Sequence, residues 1–335
     1  MHKINLAILK RNHDPTSLMV YLNNITKELG NFDLHIQYFS ENTEIPKSCN
    51  LIWEPALAMR RIPKIYKKND LPIVASIHGV KSYSLPINEI ATNIYTRIYE
   101  LLLKQQLSAD WKWFKNRMTK VVAVSEYGAN EVIKAFDIPK SKVDFIYNGI
   151  DHSIFNLEVM PIKHEKTYFF HVSTNNPLKN VSRIIEAYND ISSPKPDLVL
   201  ATPGFKIKKR TEGIYIINSL LSQAELARWY KGAIALVMPS LRETFGMPLI
   251  EAMACGCPVI TSNITGCSEI SGKAALKVNP RSVNEIRTSM EMFIHDKSIK
   301  KELSNEGIKQ SEKFSWTKSA AQFYKLFKSV QYGRV

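Results

Sequence analysis

Short apolar runs alternate with amphipathic segments along the whole chain. In the first half, the runs at 4–9, 33–38, 51–53, 73–77, 120–124 and 143–147 have the length of buried strands, and 17–29 and 125–135 carry helical spacing. After residue 167 the alternation starts again. Strands are expected at 168–172, 197–201, 214–217, 234–238 and 258–261, and helices at 181–189, 223–231, 248–255 and 284–296. Strands and helices in strict alternation form parallel sheets covered on both faces. Two such series in succession imply an α/β protein of two doubly wound domains. The domains are expected at 1–155 and 165–315, with the proline-bearing, mixed-charge stretch 151–166 as linker. An amphipathic helix over 316–335 follows, with Ser315 as its N-cap.

A length of 335 residues suits two domains, because single cores stop growing before that size. No apolar stretch is long enough to cross a membrane. The first apolar run is too short for a signal peptide and no cleavage site follows it, so it reads as a first buried strand. Cys49, Cys255, Cys257 and Cys267 form neither a disulfide framework nor a metal set, and a cytoplasmic protein with reduced thiols is expected. The net charge of +14 adds something the pattern does not show. It favours a polyanionic partner: nucleic acid, an anionic membrane surface or phosphorylated small molecules.

The stretch from Pro239 to Ile260 carries the candidate chemistry. A buried strand ends at Pro239, a loop follows, and Pro248 stands where a helix can begin, since first-turn amides lack intrahelical partners. The helix stops at Gly256 and leads into the next strand. A loop entering a helix offers free amides and the positive end of the helix dipole, which together bind anions. Gly246 lets a ligand approach the backbone. Glu243 on the loop and Glu251, expected in the first helical turn, can accept hydrogen bonds from sugar and ribose hydroxyls on either side of a diphosphate. Taken singly, Glu251 could equally complement the dipole and Glu243 could be solvated surface.

Glu243 and Glu251, with Phe245-Gly246 and Ala252 through Val259, resemble the E-x7-E signature of the retaining glycosyltransferase 4 family. Further similarities follow in family order: Ile77-His78-Gly79, Val124-Ser125-Glu126, Tyr147 through Asp151 with Phe155, Ser262 through Ile270, Gly272 through Leu276, Asn279-Pro280 and Phe314-Ser315-Trp316. The resemblance implies the GT-B architecture, with two Rossmann-like domains facing a central cleft and a C-terminal helix returning toward the N-terminal domain. It implies transfer of a hexose from a UDP- or GDP-type donor, with retained configuration and no metal requirement. The acceptor would be a glycan or a lipid-linked sugar in cell-surface polysaccharide or glycoconjugate synthesis. The N-terminal domain would take the acceptor and the C-terminal domain the donor. Glu251 would bind the ribose, Glu243 the transferred sugar, and the backbone at Phe245, Gly246 and Met247 the diphosphate or sugar hydroxyls. Lys179, in Pro177-Leu178-Lys179-Asn180, matches the lysine that neutralises the leaving phosphate. Thr174, Thr202 and Gly204 complete the donor-binding set, and His78 takes a polar positioning role.

Two features depart from that pattern. Thr174 stands where the family carries an arginine, and a hydroxyl supplies neither the charge nor the forked hydrogen bonds of a guanidinium. Arg183 and Lys206 are candidate substitutes. After the first strand, Lys10-Arg11-Asn12-His13-Asp14-Pro15 replaces a glycine-rich loop, and Lys10 or Arg11 could contact phosphate or acceptor. The segment 98–118, with Leu101-Leu102-Leu103 and Trp111-Lys112-Trp113-Phe114, is either an ordinary helix packed on the sheet or a surface that lies on an anionic membrane. The second reading implies peripheral attachment to the inner face of the membrane. No nucleic-acid motif is present, and phosphates or a membrane account equally well for the charge. A sugar-nucleotide epimerase and a degenerate, non-catalytic sugar-nucleotide-binding protein remain the alternatives.

Overall fold

The computed structural model describes residues 3–11, 16–57, 61–80, 86–91, 93–207 and 211–333. Asn12 through Pro15 and Arg60 lie outside the described residues. The chain divides into two compact units, Met1–Gly149 together with Trp316–Val335, and Ile150–Ser315.

In the first unit, β1 (Ile4–Leu9), α1 (Thr16–Leu29), β2 (Leu34–Phe39), β3 (Leu51–Glu54) and β4 (Ile73–Ile77) lead to a short α2 (Ile87–Ile90). The long α3 (Ile94–Arg117), β5 (Lys120–Ala123), α4 (Glu126–Phe136) and β6 (Val143–Phe145) follow. The six strands run parallel in the order β2-β1-β3-β4-β5-β6. Burial explains why the strands appear in the sequence as apolar runs: every residue of β3 and β4 is buried. Ser125 caps α4 by accepting from the Gly128 amide.

The C-terminal helix Trp316–Tyr332 belongs to this unit. Phe323 and Phe327 pack on the indole of Trp53 at 5.0 and 5.7 Å between ring centres. Trp53 is fully buried and its Nε1–H donates to Ser76 Oγ at 2.9 Å. Thr317 Oγ1 donates to Glu28 at 2.8 Å, and Ser319 Oγ to the Tyr147 carbonyl at 2.6 Å. Ser315, expected as a cap, forms a parallel bridge with Ile150.

The second unit runs β7 (Tyr168–Val172), α5 (Val181–Asn189), β8 (Asp197–Ala201), β9 (Ile214–Ile217), α6 (Gln223–Gly232) and β10 (Leu236–Met238). It continues with α7 (Met247–Ala254), β11 (Val259–Ser262), α8 (Thr265–Ser271), β12 (Leu276–Val278), α9 (Val283–His295) and α10 (Lys297–Ser311). Its parallel sheet has the order β12-β11-β10-β7-β8-β9. Both sheets are doubly wound, in line with the alternation in the sequence. Helix α10 is not evident from the sequence, because its polar composition gives a weak apolar stripe. Asp296 caps it, and Gly307 lets it approach α7 so closely that a Cβ there would stand 3.1 Å from Met253 Cγ. The stretch 151–166, expected as a linker, is seated on this unit. Phe155 is 1% exposed beside Tyr230, and the Ile162 amide donates to the Arg228 carbonyl at 3.1 Å.

Phe323 is buried in the seam that ties the C-terminal helix to Trp53. Phe323→Ala is expected to destabilise the first unit by about 3–5 kcal/mol. Hydrogen exchange of the β1–β4 amides under mild urea checks this. Protection unchanged in those strands would mean that the helix is not integral to that core.

Candidate active site

In the second unit the strand order reverses between β7 and β10. The connections leaving these neighbours run to opposite faces of the sheet and open a crevice at the carboxyl ends, which is where open α/β sheets bind ligands. The loop after β7 carries Lys179 and the loop after β10 carries Glu243. Asn180 joins them. Its backbone is left-handed, with φ of 66°, a conformation that asparagine tolerates better than most residues. Its buried Nδ2 donates to the Pro239 carbonyl at 2.9 Å and to the Pro280 carbonyl at 2.7 Å. The Leu241 amide adds a bond to the Leu178 carbonyl at 2.8 Å.

So placed, Lys179 Nζ and Glu243 Oε2 form an ion pair in which both side chains are about one-fifth exposed, at 22% and 19%. Burial lowers the lysine's affinity for its proton, but the charge and hydrogen bond of Glu243 outweigh it, and the pKa rises above the usual range. Lys179 is therefore held as a cation. Beneath the loops, His171 Nδ1–H donates to the Val237 carbonyl at 2.7 Å, which leaves Nε2 to accept from Ser173 Oγ at 2.8 Å. Burial, with a contribution from the Lys179 charge, drops its pKa to about 4, so the ring is neutral.

Past Glu243, Gly246 enters α7 with φ of 93°. That conformation explains a glycine here, as does the 3.0 Å at which a Cβ would meet Leu249 Cδ1. Pro248 lies in the first turn. Phe245 is buried edge-on against Phe314 at 5.7 Å, and Met247 is half-buried. The start of α8 closes the other side of the loop. The Gly266 amide donates to the Glu243 carbonyl at 2.9 Å, and a Cβ on Gly266 would stand 2.0 Å from the Thr244 carbonyl oxygen.

Glu251 is not in the first turn of α7 but is its fifth residue, on the buried side. It therefore does not act as a partner of the helix dipole. Its Oε2 accepts from Tyr230 Oη–H at 2.9 Å. Burial pushes its pKa up to about 7, although the tyrosine hydrogen bond pulls the other way.

On the β8 side, Thr202 Oγ1 is buried without a hydrogen-bond partner among the described residues. Gly204 has φ of 78°, and its carbonyl accepts from Asn175 Nδ2 at 2.8 Å. Thr174 and Lys206 are exposed. Arg183 is held by Asn180 Oδ1 at 2.9 Å. The loops after β7, β8 and β10 thus bring Thr174, Lys179, Thr202, Gly204 and Glu243 to one sheet edge. Asn180, His171 with Ser173, and Tyr230 are the supporting residues that the sequence did not single out. Tyr230 had the appearance of an ordinary helix position.

His78 lies in the first unit, just after β4. Its Nε2–H donates to the Pro55 carbonyl at 3.0 Å, and Tyr21 packs edge-on at 4.5 Å. Burial lowers its pKa to about 4. The ring is neutral, with Nδ1 as an acceptor. Arg11 does not offer its donors to a ligand. It forks onto both Glu54 oxygens at 2.7 and 2.9 Å and reaches Glu41 at 2.7 Å. Lys10 Nζ lies 5.6 Å above the Tyr38 ring. Among the described residues no three His, Cys, Asp or Glu side chains gather to hold a metal. The four cysteines are free and buried, and burial pushes Cys255, Cys257 and Cys267 up to about 12.

Residues 154–310 match the family described as glycosyl transferases group 1, and residues 49–154 match glycosyltransferase family 4. The serotype-specific mannosyltransferase WbdA of Escherichia coli is 28% identical over 229 residues, which are 61% of this chain and 28% of that one. The O-antigen chain mannosyltransferase B of Escherichia coli is 25% identical over 62% of this chain and 60% of its own. The matches thus span less than two thirds of these curated relatives. Among solved structures, sucrose-phosphate synthase from Thermosynechococcus elongatus superposes with a TM-score of 0.74 at 15% identity, covering 98% of this chain and 99% of that one. Anabaena HepE in complex with UDP and glucose gives 0.70 at 15% identity, over 98% and 100% of the two chains. These likenesses identify the fold as GT-B. Together the two family matches take in residues 49 to 310, and the chain belongs to the group 1 glycosyl transferases.

Proposed function

We propose that the protein transfers a hexose from a nucleotide diphosphate sugar to a glycan or lipid-linked acceptor, with retention of anomeric configuration, in the assembly of a cell-surface polysaccharide. The observation that carries this reading is the Lys179–Glu243 pair at the strand-order reversal beside the α7 N-terminus. A diphosphate there meets a fixed cation and the positive end of the α7 dipole, and a hydroxyl-bearing sugar meets a carboxylate. The names of the two relatives favour mannose as the sugar and an O-antigen type of acceptor. HepE, solved with UDP and glucose, favours a uridine donor.

In this mechanism negative charge grows on the diphosphate as the bond to the anomeric carbon breaks. Lys179, already positive and already in place, stabilises it without reorganisation. Glu243 turns from the lysine to the sugar hydroxyls when the phosphates arrive. The exposed Thr174 hydroxyl contributes a hydrogen bond in place of an arginine. Glu251 accepts from the ribose, and His78 offers its Nδ1 to a sugar or acceptor hydroxyl. A resident metal has no required part, because Lys179 and the amides supply the positive potential.

Removal of one glutamate or the other separates binding from transfer. Glu243→Ala is expected to lower the transfer rate by roughly 100-fold or more while stabilisation by the preferred nucleoside diphosphate persists. Unchanged transfer by a folded variant refutes the assignment. Glu251→Ala is expected to lose the thermal stabilisation given by one of UDP, GDP, ADP, TDP or CMP, since only a ligand that binds the folded state raises the melting temperature. An equal shift in wild type and variant rules out its ribose role.

Glu251 also predicts a pH dependence. Its folded-state pKa, about 7, lies above the ordinary 4.5, so between these values the folded protein keeps a proton that the unfolded chain releases. The stability contribution is complete below about 4.5 and is lost as pH rises to about 7, by an amount on the order of 3 kcal/mol. Ligand-free wild type should lose stability against Glu251→Gln across that interval in urea unfolding and run parallel to it above. Parallel curves throughout would mean that the carboxyl is ionised in the fold.

A further inference from the structure

Helix α3 has two apolar faces. Leu107, Trp111 and Phe114 are buried in the first unit's core. Ile94, Tyr95, Ile98, Tyr99, Leu101 and Leu102 are instead 51–81% exposed. At 100° per residue these six fall within an arc of about 160°, turned well away from the core-facing positions. The helix is therefore no simple amphipathic rod: its C-terminal half anchors it, and its N-terminal half carries apolar surface into solvent. Six large side chains in three turns exceed the scattered exposure normal for a soluble surface, and a contiguous patch of that kind marks an interaction site. The Asn93 capping box satisfies the helix start, so the exposed turns are a formed element and not a frayed end.

Charge identifies the occupant. Between Arg60 and Lys120 the sequence holds twelve Lys and Arg against four Asp and Glu, while the rest of the first unit's Met1–Gly149 segment is slightly acidic. Arg97 and Lys112 on α3 are exposed, and so is Lys64 on the neighbouring turn Lys64–Lys68. Beside the patch, a groove of about 610 Å³ is lined by Arg11, Arg61, Glu41 and Gln106 on its polar side and by Tyr99 and Leu102 on its apolar side. The Arg61 side chain is 61% exposed there, with its Nε–H donating to Asp110 at 2.9 Å. An apolar stripe with two tyrosines, bordered by cations, fits the boundary between lipid headgroups and acyl chains. No helix among the described residues is long and apolar enough to cross a membrane, so the contact is peripheral.

We propose that the N-terminal half of α3, Ile94 to Leu102, is a docking surface for an anionic lipid bilayer, with the apolar stripe inserted at the acyl boundary and the surrounding Arg and Lys side chains against lipid phosphates. The inference does not depend on the transferase reading, because it is read by partition and not by activity. Within the segment 98–118 that the sequence points to, it keeps Leu101 and Leu102 in the contact and takes Trp111 and Phe114 out of it, since both are buried.

The test uses the full chain and vesicles of phosphatidylcholine, with and without about one-third phosphatidylglycerol. Flotation should show binding to the anionic vesicles that weakens in high salt. Ile94→Gln/Ile98→Gln/Leu102→Gln should reduce the partition by about tenfold or more with an unchanged melting temperature. A separate Leu102→Trp variant reads insertion directly, by a blue shift of the added indole's emission in the presence of the same vesicles. Failure of the wild type to float, equal partition of the triple variant, or an added indole emission that the vesicles leave unmoved overturns the proposal. So does a wild-type dimer that the triple variant converts to a monomer in light scattering, which would assign the patch to a second copy of the chain.

Discussion

The side-chain amide of Asn180 is the smallest element on which the candidate site depends. A parallel sheet with reversed strand order opens its crevice by sending successive loops in opposite directions, and nothing in the sheet itself holds those loops at a fixed distance. Asn180 does so with two donated hydrogen bonds, to Pro239 after β10 and to Pro280 after β12, from a position after β7. The left-handed backbone at Asn180 turns the chain directly from the Pro177–Lys179 turn into α5. Lys179 thereby reaches Glu243 across the crevice. From the opposite side, Gly266 lies so close to the Thr244 carbonyl that no larger residue fits without displacing the loop. The charge pair is thus positioned by backbone contacts on both flanks rather than by its own attraction.

Each unit carries an ion pair at the point where its strand order reverses, and the two differ in a way that separates structure from function. In the first unit Arg11 follows β1 and Glu54 ends β3, the neighbours at that reversal. Glu54 is fully buried, receives both arms of the guanidinium, and takes a further hydrogen bond from Tyr66 at 2.9 Å. Each of its oxygens is satisfied by fixed partners, so separating the pair would leave a buried charge at a cost of several kcal/mol. In the second unit Lys179 and Glu243 share single contacts and keep part of their surface in solvent. An exchange of partners there costs far less, because water and an incoming phosphate replace what is lost. A locked pair keeps its partners, whereas a partly exposed pair can be opened by a ligand of matching charge.

Strand and helix positions of the second unit were legible almost residue by residue, as at 168–172, 181–189 and 197–201, because buried parallel strands and one-sided helices have distinct periods. The site was legible only as residue types. Glu243, Glu251, Gly246 and Lys179 were readable from spacing and resemblance, but their relationships were not. That Lys179 meets Glu243 depends on loops 64 residues apart in sequence. That Glu251 pairs with Tyr230 depends on how α6 packs on α7. Arg11 shows the converse. Next to a missing glycine loop it reads as a ligand contact, and only the fold reveals that a buried carboxylate on another strand already claims it.

Helix α3 shows why periodicity alone misjudges some elements. An apolar stripe produces a strong signal when one face is buried and the other is wet. When the core-facing stripe of the C-terminal half and the exposed stripe of the N-terminal half lie on different sides of one helix, the two partly cancel, and the segment reads as a generally apolar, basic helix without direction. The aromatic residues Trp111 and Phe114 then draw attention as surface anchors, although they fill the core against Phe136 and Tyr66. The exposed apolar residues between Ile94 and Leu102 give little of their surface to the core, and among the described residues no packing accounts for their apolar character. A side chain that neither packs nor solvates well is retained at a cost in solubility, so its cause lies outside that core.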